Sequence, residues 1–158
     1  MKAKTCFFIG HREAAGDIMP ALEKSVEKPI SEYGVTAFVV GRYGGFDRLA
    51  TSAVIKAKRL HPEITLSLLL AYHPAERPVE KPEGFDATYY PPGMESVPRR
   101  YAIVRANRYM VDHADHLIAY AWHPANNARK LLTYAAKRQK KGLLQIENLY
   151  QVSLQRIR

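Results

Sequence analysis

Three short stretches hold the side chains through which this chain could do chemistry. Gly10-His11-Arg12 directly follows the apolar run Thr5 to Ile9. A guanidinium beside a glycine turn can grip a phosphate through two parallel hydrogen bonds. The plainer reading is a turn glycine, an arginine paired with a neighbouring carboxylate, and a structural histidine at His11. Gly41-Arg42-Tyr43-Gly44-Gly45-Phe46-Asp47 follows the second such run, Thr36 to Val40. Two successive glycines let a strand turn sharply into a helix. Asp47 then falls near the helix start, where it either caps the helix or accepts hydrogen bonds from a ligand hydroxyl such as a ribose. The third stretch, Asn107 to Asp115, is polar where a helix approaches the next strand. There Asp112 and Asp115 are placed to orient His113 or to bind a cation.

Several chemistries are disfavoured. The glycines do not form the dinucleotide fingerprint, and no Walker lysine motif is present. There is no nucleophile elbow. His113 and His116 lack zinc-ligand spacing, and the lone cysteine, Cys6, is far away. No metal and no cofactor is expected, and no catalytic residue is assigned. Glu95 is a conceivable general base that nothing around it requires.

The elements that would position these residues alternate. Strands are predicted at Thr5 to Ile9, Thr36 to Val40, Ile64 to Leu70, Asp115 to Ala121 and Leu143 to Ile146, the last as a core strand, with a short one within Phe85 to Tyr90. Helices are predicted from Asp17 to Ile30, capped by Asp17, from about Asp47 to Leu60, from Pro98 to His113 and from Asn126 to Gln139. In the third of these Ile103, Asn107, Met110 and Val111 share a face. Asn126 or Asn127 caps the last, and Gly142 ends it. Tyr72 to Gly93, with five prolines, is read as a lid or binding loop, or else as a surface excursion. Strand and helix alternation predicts one α/β domain over residues 1–158: a three-layer Rossmann-like fold with a mostly parallel central sheet. Its core spans 5–146. The tail from Leu149 to Arg158 is an edge strand, a dimer arm or a loose end. Ligands in such sheets lie outside the carboxyl ends of the strands.

At 158 residues and 47% hydrophobic content, the chain suits one globular domain. It has no apolar run of the ~20 residues that span a bilayer and no signal-peptide pattern, so no membrane partner and a cytoplasmic location are expected. Cys6 is read as a small buried hydrophobe. The net charge is +9, from 24 basic and 15 acidic side chains. It permits nucleic-acid binding without establishing it. Part of it, Lys137 to Lys141, lies at a helix C-terminus, where cations suit the dipole. Arg12, Arg42, Arg48, Arg99, Arg100, Arg105 and Arg108 are candidates to line a cleft.

Taken in order and spacing, Thr5 to Arg12, Gly44 to Ala50 and Asn107 to Asp115 resemble the YpsA-like branch of the SLOG superfamily. These are Rossmann-type proteins related to the DNA-processing protein DprA and to the lysine-decarboxylase-like nucleotide hydrolases. The resemblance implies a nucleotide-like ligand over the strand ends. Gly10, Arg12, Gly44, Gly45 and Asp47 match the family's pocket in the first half, and Asn107, Arg108 and Asp112 match its later polar motif. With His11 and Gly41, these form the predicted ligand-binding set. One departure is plain. Where relatives carry a glycine-rich phosphate loop, this chain has Trp122 to Lys130 without a glycine. Trp122 and Pro124 should narrow the approach there, although Asn126, Asn127 and the helix start remain able to bind an anion. The hydrolase loop with its catalytic glutamate is missing.

The leading expectation is therefore a protein that binds a nucleotide or nucleotide derivative, in the manner of a sensor. The alternatives are a nucleotide N-glycosidic hydrolase using Asp47, Glu95 or Asp112, and a DprA-like protein that binds DNA weakly and without sequence preference. A homo-oligomer is expected, with the tail Gln151 to Arg158 offering an edge for pairing.

Overall fold

The structure, a computed structural model, describes residues 3–42, 44–123 and 126–150. The expectations resting on Tyr43, on Pro124 and on the tail 151–158 lie outside these residues.

Strand and helix alternate along the described residues except between the third and fourth strands, which no helix separates. Strand β1 (Thr5–Gly10) leads through a short 3-10 turn to helix α1 (Met19–Tyr33), then come β2 (Ala37–Val40), α2 (Gly45–Leu60), β3 (Thr65–Leu69) and the short β4 (Ala87–Tyr89). Helix α3 (Ala102–His113), β5 (His116–Tyr120), α4 (Asn127–Lys140) and β6 (Gln145–Asn148) complete the order. The six described strands form one sheet in the order β4-β3-β2-β1-β5-β6, and every neighbouring pair is parallel. The expected α/β class holds.

Alternation along β1 divides the core into two layers. Cys6 and Phe8 face α1 and α2, with Phe38, Val40, Leu66 and Leu68 beside them. Phe7 and Ile9 face the other way, against α3 and α4, with Val39, Leu69, Leu117 and Ala119. Helices thus cover both faces, as an all-parallel sheet requires. Burial pushes the Cys6 thiol well above its usual range, so it is inert.

Several sequence expectations are corrected. Asp17 does not cap α1; it sits in the 3-10 turn, and Ile18 occupies the cap position without a side-chain hydrogen bond. Asp47 is not at the cap position of α2, which is Gly44, but lies within the first turn. The last strand starts two residues later than expected and lies at the sheet edge rather than in its centre. The core also runs past residue 146, because Leu149 is fully buried. In α3 the buried stripe is Ala102, Ala106, Met110 and Val111. Ile103 and Asn107 are only half-buried.

One contact sets where α2 begins. The Gly45 N–H donates to the Arg12 carbonyl at 2.8 Å, and the Phe46 N–H reaches the His11 carbonyl at 3.4 Å. A Cβ on Gly44 would lie 2.7 Å from Arg12 Cα, and one on Gly45 2.5 Å from the Arg12 oxygen. Gly44 also has φ +139°, which side-chain-bearing residues rarely adopt. Phe46 is fully buried over Gly10 and stacks on Tyr120. A Cβ on Gly10 would sit 2.3 Å from the Phe46 ring. Gly10→Ala should therefore cost about 1–3 kcal/mol through overpacking. Gly16→Ala, whose added methyl meets nothing within 4 Å, should be near neutral. Urea unfolding of both variants checks this; equal losses would remove the Phe46 contact as the cause.

Candidate functional site

The sheet order creates a crevice. From β1 the chain moves outward through β2, β3 and β4, then returns to the other side of β1 as β5. The loops after β1 and β5 lead to helices on opposite faces, α1 and α4. Such a switch point is where open α/β sheets bind ligands. Here it holds a cleft of about 480 Å³.

Of the predicted site residues, Gly10, His11, Arg12, Gly41, Asp47 and Asn107 line this cleft together. Gly44 and Gly45 do not; their role is the close approach to the Arg12 backbone. Arg108 and Asp112 are placed elsewhere, on the seam between α3 and α4. The Arg108 guanidinium lies 4.3 Å from the centre of the Tyr134 ring, and the Tyr134 hydroxyl donates to Asp112 Oδ1 at 2.6 Å. Glu95 is exposed and does not line the cleft.

The remaining walls come from residues outside the predicted set. Trp122 and Asn126 lie on the β5–α4 connection, Asn127 opens α4, Glu13 is beside Arg12, and Ile103 and Val104 are on α3. Their signal was available in part: Asn126 does cap α4, accepting the Ala128 N–H at 2.8 Å. The helix start therefore lies at the cleft, and its dipole favours an anion there. Helix α2 offers no such end, because the turn after β1 takes its first N–H groups. Val104 is 47% exposed and gives the cleft an apolar lip. The Arg12 guanidinium is exposed and has no carboxylate partner among the described residues.

His11 forms the floor. Its backbone N–H continues the β1–β5 ladder to the Tyr120 carbonyl at 3.2 Å. Nε2 accepts the Trp122 N–H at 2.8 Å and the His123 N–H at 3.3 Å. Both being donors, Nε2 carries the lone pair and the neutral ring's proton is on Nδ1. Nδ1 is buried with no hydrogen-bond partner. The Asn126 amide is near enough to favour the charged ring without meeting hydrogen-bond geometry. Burial outweighs it and lowers the His11 pKa below the usual 6.5. Trp122 stands edge-on against this ring, centroids 3.9 Å apart, and Tyr150 packs against Trp122. Among the described residues no group of three His, Cys, Asp or Glu side chains is placed to hold a metal ion. No described helix is long and apolar enough to cross a membrane.

No family model matches the chain, and no curated protein is similar to it in sequence. Solved structures share its fold. The molybdenum cofactor binding protein of the phototrophic bacterium Rippkaea orientalis superposes with a TM-score of 0.58 at 17% identity, over 98% of this chain and 83% of that one. DNA processing protein A (DprA) of Streptococcus pneumoniae superposes with a TM-score of 0.60 at 14% identity, over 96% of this chain; the chain spans 61% of DprA's length. Both are likenesses of fold, and neither singles out the YpsA-like branch.

His11 and the buried His116 are both held below the usual histidine range, each chiefly by burial. The unfolded chain therefore binds protons at these sites at a higher pH than the folded chain does. Stability should be complete above about pH 6.5 and decline as the pH falls towards the folded-state values. Urea unfolding across that window measures the slope. His11→Gln, which keeps an acceptor for Trp122, should flatten it, and His116→Gln should flatten it further. A slope unchanged in both variants would assign the effect to other groups.

Proposed function

We propose that this chain binds a phosphorylated small molecule of the nucleotide class in the cleft between β1 and β5. The phosphate lies between Arg12 and the start of α4. The rest of the ligand runs along Ile103 and Val104, within reach of Asn107. The observation that carries this reading is convergence. An arginine without a described carboxylate partner, the amino end of α4 and a buried histidine N–H without an acceptor belong to one concave site at the switch point. The fold likeness to a cofactor-binding protein supports the same class of ligand.

Binding without turnover is the preferred form. An N-glycosidic hydrolase needs a carboxylate at the reacting ribose carbon. Of the three candidates, Glu95 and Asp112 lie outside the cleft, and Asp47 shares it with Glu13. Nucleic acid is the weaker alternative. The dense cations Lys137, Arg138, Lys140 and Lys141 sit at the far end of α4, about 20 Å from its start by helix rise.

Trp122 is the chain's single tryptophan and lines the cleft, so its fluorescence reports occupancy. Nucleoside monophosphates should perturb it saturably, and the matching nucleosides should bind much more weakly. Arg12→Ala should weaken monophosphate binding by about 1.5–3 kcal/mol, the range for a charge-assisted hydrogen bond, without unfolding the chain. Chromatography should show no free base released. Unchanged affinity in the folded variant would reject the phosphate role of Arg12, and robust base release would promote the hydrolase reading.

A further inference from the structure

Across the Gly41–Asp47 turn from the cleft lies a second cavity, of about 610 Å³. Leu68 and Phe85 are among its apolar lining. One wall is Arg42, in the turn after β2, with Arg48, Thr51 and Ser52 on the first two turns of α2. The other wall is the proline-rich run at Pro78, Val79, Glu80 and Pro82. Gly41 and Asp47 line both spaces. The two therefore adjoin along the carboxyl edge of the sheet, one over β1 and β5 and the other over β2 and β3.

Several cations elsewhere in the chain are engaged. Lys56 pairs with Glu23, Lys58 with Asp86, and Arg99 with Glu76. Arg77, Arg100 and Arg108 lie over tyrosine rings. Arg42 and Arg48 are exposed and have neither kind of partner among the described residues. Arg48 and Ser52 stand one helical turn apart, so they share a face of α2. Thr51 is already engaged, donating to the Asp47 carbonyl at 2.9 Å. Two unpaired guanidiniums and a hydroxyl around a partly apolar space suit an oxyanion, which arginine forks hold bidentately. Glu80, on the facing wall, opposes such an anion and is not ion-paired to either arginine.

We infer that this cavity is a second anion subsite. It takes a second phosphate or a carboxylate at the far end of the ligand held in the cleft. The inference rests on the proposed function for that first phosphate. It narrows the ligand to an extended nucleotide derivative with two separated anionic groups. It also gives the proline-rich segment a role, as the wall that encloses the distal group.

Calorimetry with adenosine monophosphate, and with an adenosine bisphosphate carrying its phosphates on opposite ribose carbons, tests this. The wild-type chain should bind the bisphosphate about tenfold or more tightly than the monophosphate. The variant R42A/R48A, altered only at exposed side chains, should lose that advantage and keep its monophosphate affinity. Arg12→Ala should weaken both ligands alike. Glu80→Gln should strengthen the bisphosphate alone. A wild-type chain that binds the monophosphate through Arg12 but gains nothing from the second phosphate overturns the second subsite and leaves the cleft reading standing. So does an advantage that survives in R42A/R48A. Binding that depends on Arg42 and Arg48 but ignores Arg12→Ala overturns the cleft reading and keeps the anion subsite. No binding of either ligand overturns both.

Discussion

The structure depends on one backbone-to-backbone contact, between the start of α2 and the turn that follows β1. Gly44 and Gly45 bring the helix close enough for its first N–H groups to be taken by the carbonyls of Arg12 and His11. Phe46 then falls over Gly10, with no room for a side chain between them. Burying such a ring contributes about 1.5–3 kcal/mol. The geometric effect matters more. The contact holds together the ends of β1 and β2, and hence the two turns that carry Arg12 and Asp47. Neither turn could carry its residues to the cleft if α2 stood one side-chain layer further out.

The same contact makes the two helix starts at the sheet edge unequal. Helix α2 has its first N–H groups taken internally. Helix α4 keeps only a side-chain cap, Asn126, and lies at the cleft with its dipole unopposed by a described carboxylate at the cap. The helix start whose dipole would favour an anion therefore stands not at the glycine-rich turn, where the sequence draws attention, but at a connection without glycine. His11 joins the two halves. Its ring accepts from the backbone after β5 while its own N–H, just past β1, continues the ladder to Tyr120.

Charge is divided in a similar way. Three arginines are occupied by tyrosine rings and one by Glu76. These contacts brace the segment after β3 and the α3–α4 seam. They are short-range uses of cations that a net charge of +9 conceals. Arg12, Arg42 and Arg48 are exposed guanidiniums lining concave surfaces at the carboxyl edge. A basic composition thus includes cations that brace the fold and three, Arg12, Arg42 and Arg48, that line its concave carboxyl edge.

By itself the sequence determined the alternation of elements, and with it a parallel sheet. Periodicity and β-branched runs report local backbone preference and burial, which act over a few residues. It also located the two glycine turns at strand ends, because a turn needs those glycines within its own length. The cap Asn126 was legible for the same reason. Only the tertiary structure decided which side chains meet. Arg108 and Asp112 stand within the same polar stretch as Asn107, yet α3 turns them towards Tyr134 and leaves Asn107 at the cleft. Trp122, Glu13 and Val104 became site residues because the sheet order places β5 beside β1, a pairing of residues more than a hundred positions apart. Edge or centre for the last strand was settled likewise, by which neighbours β5 had left unpaired. Short-range pattern records what a segment can be; long-range packing records what it is placed against.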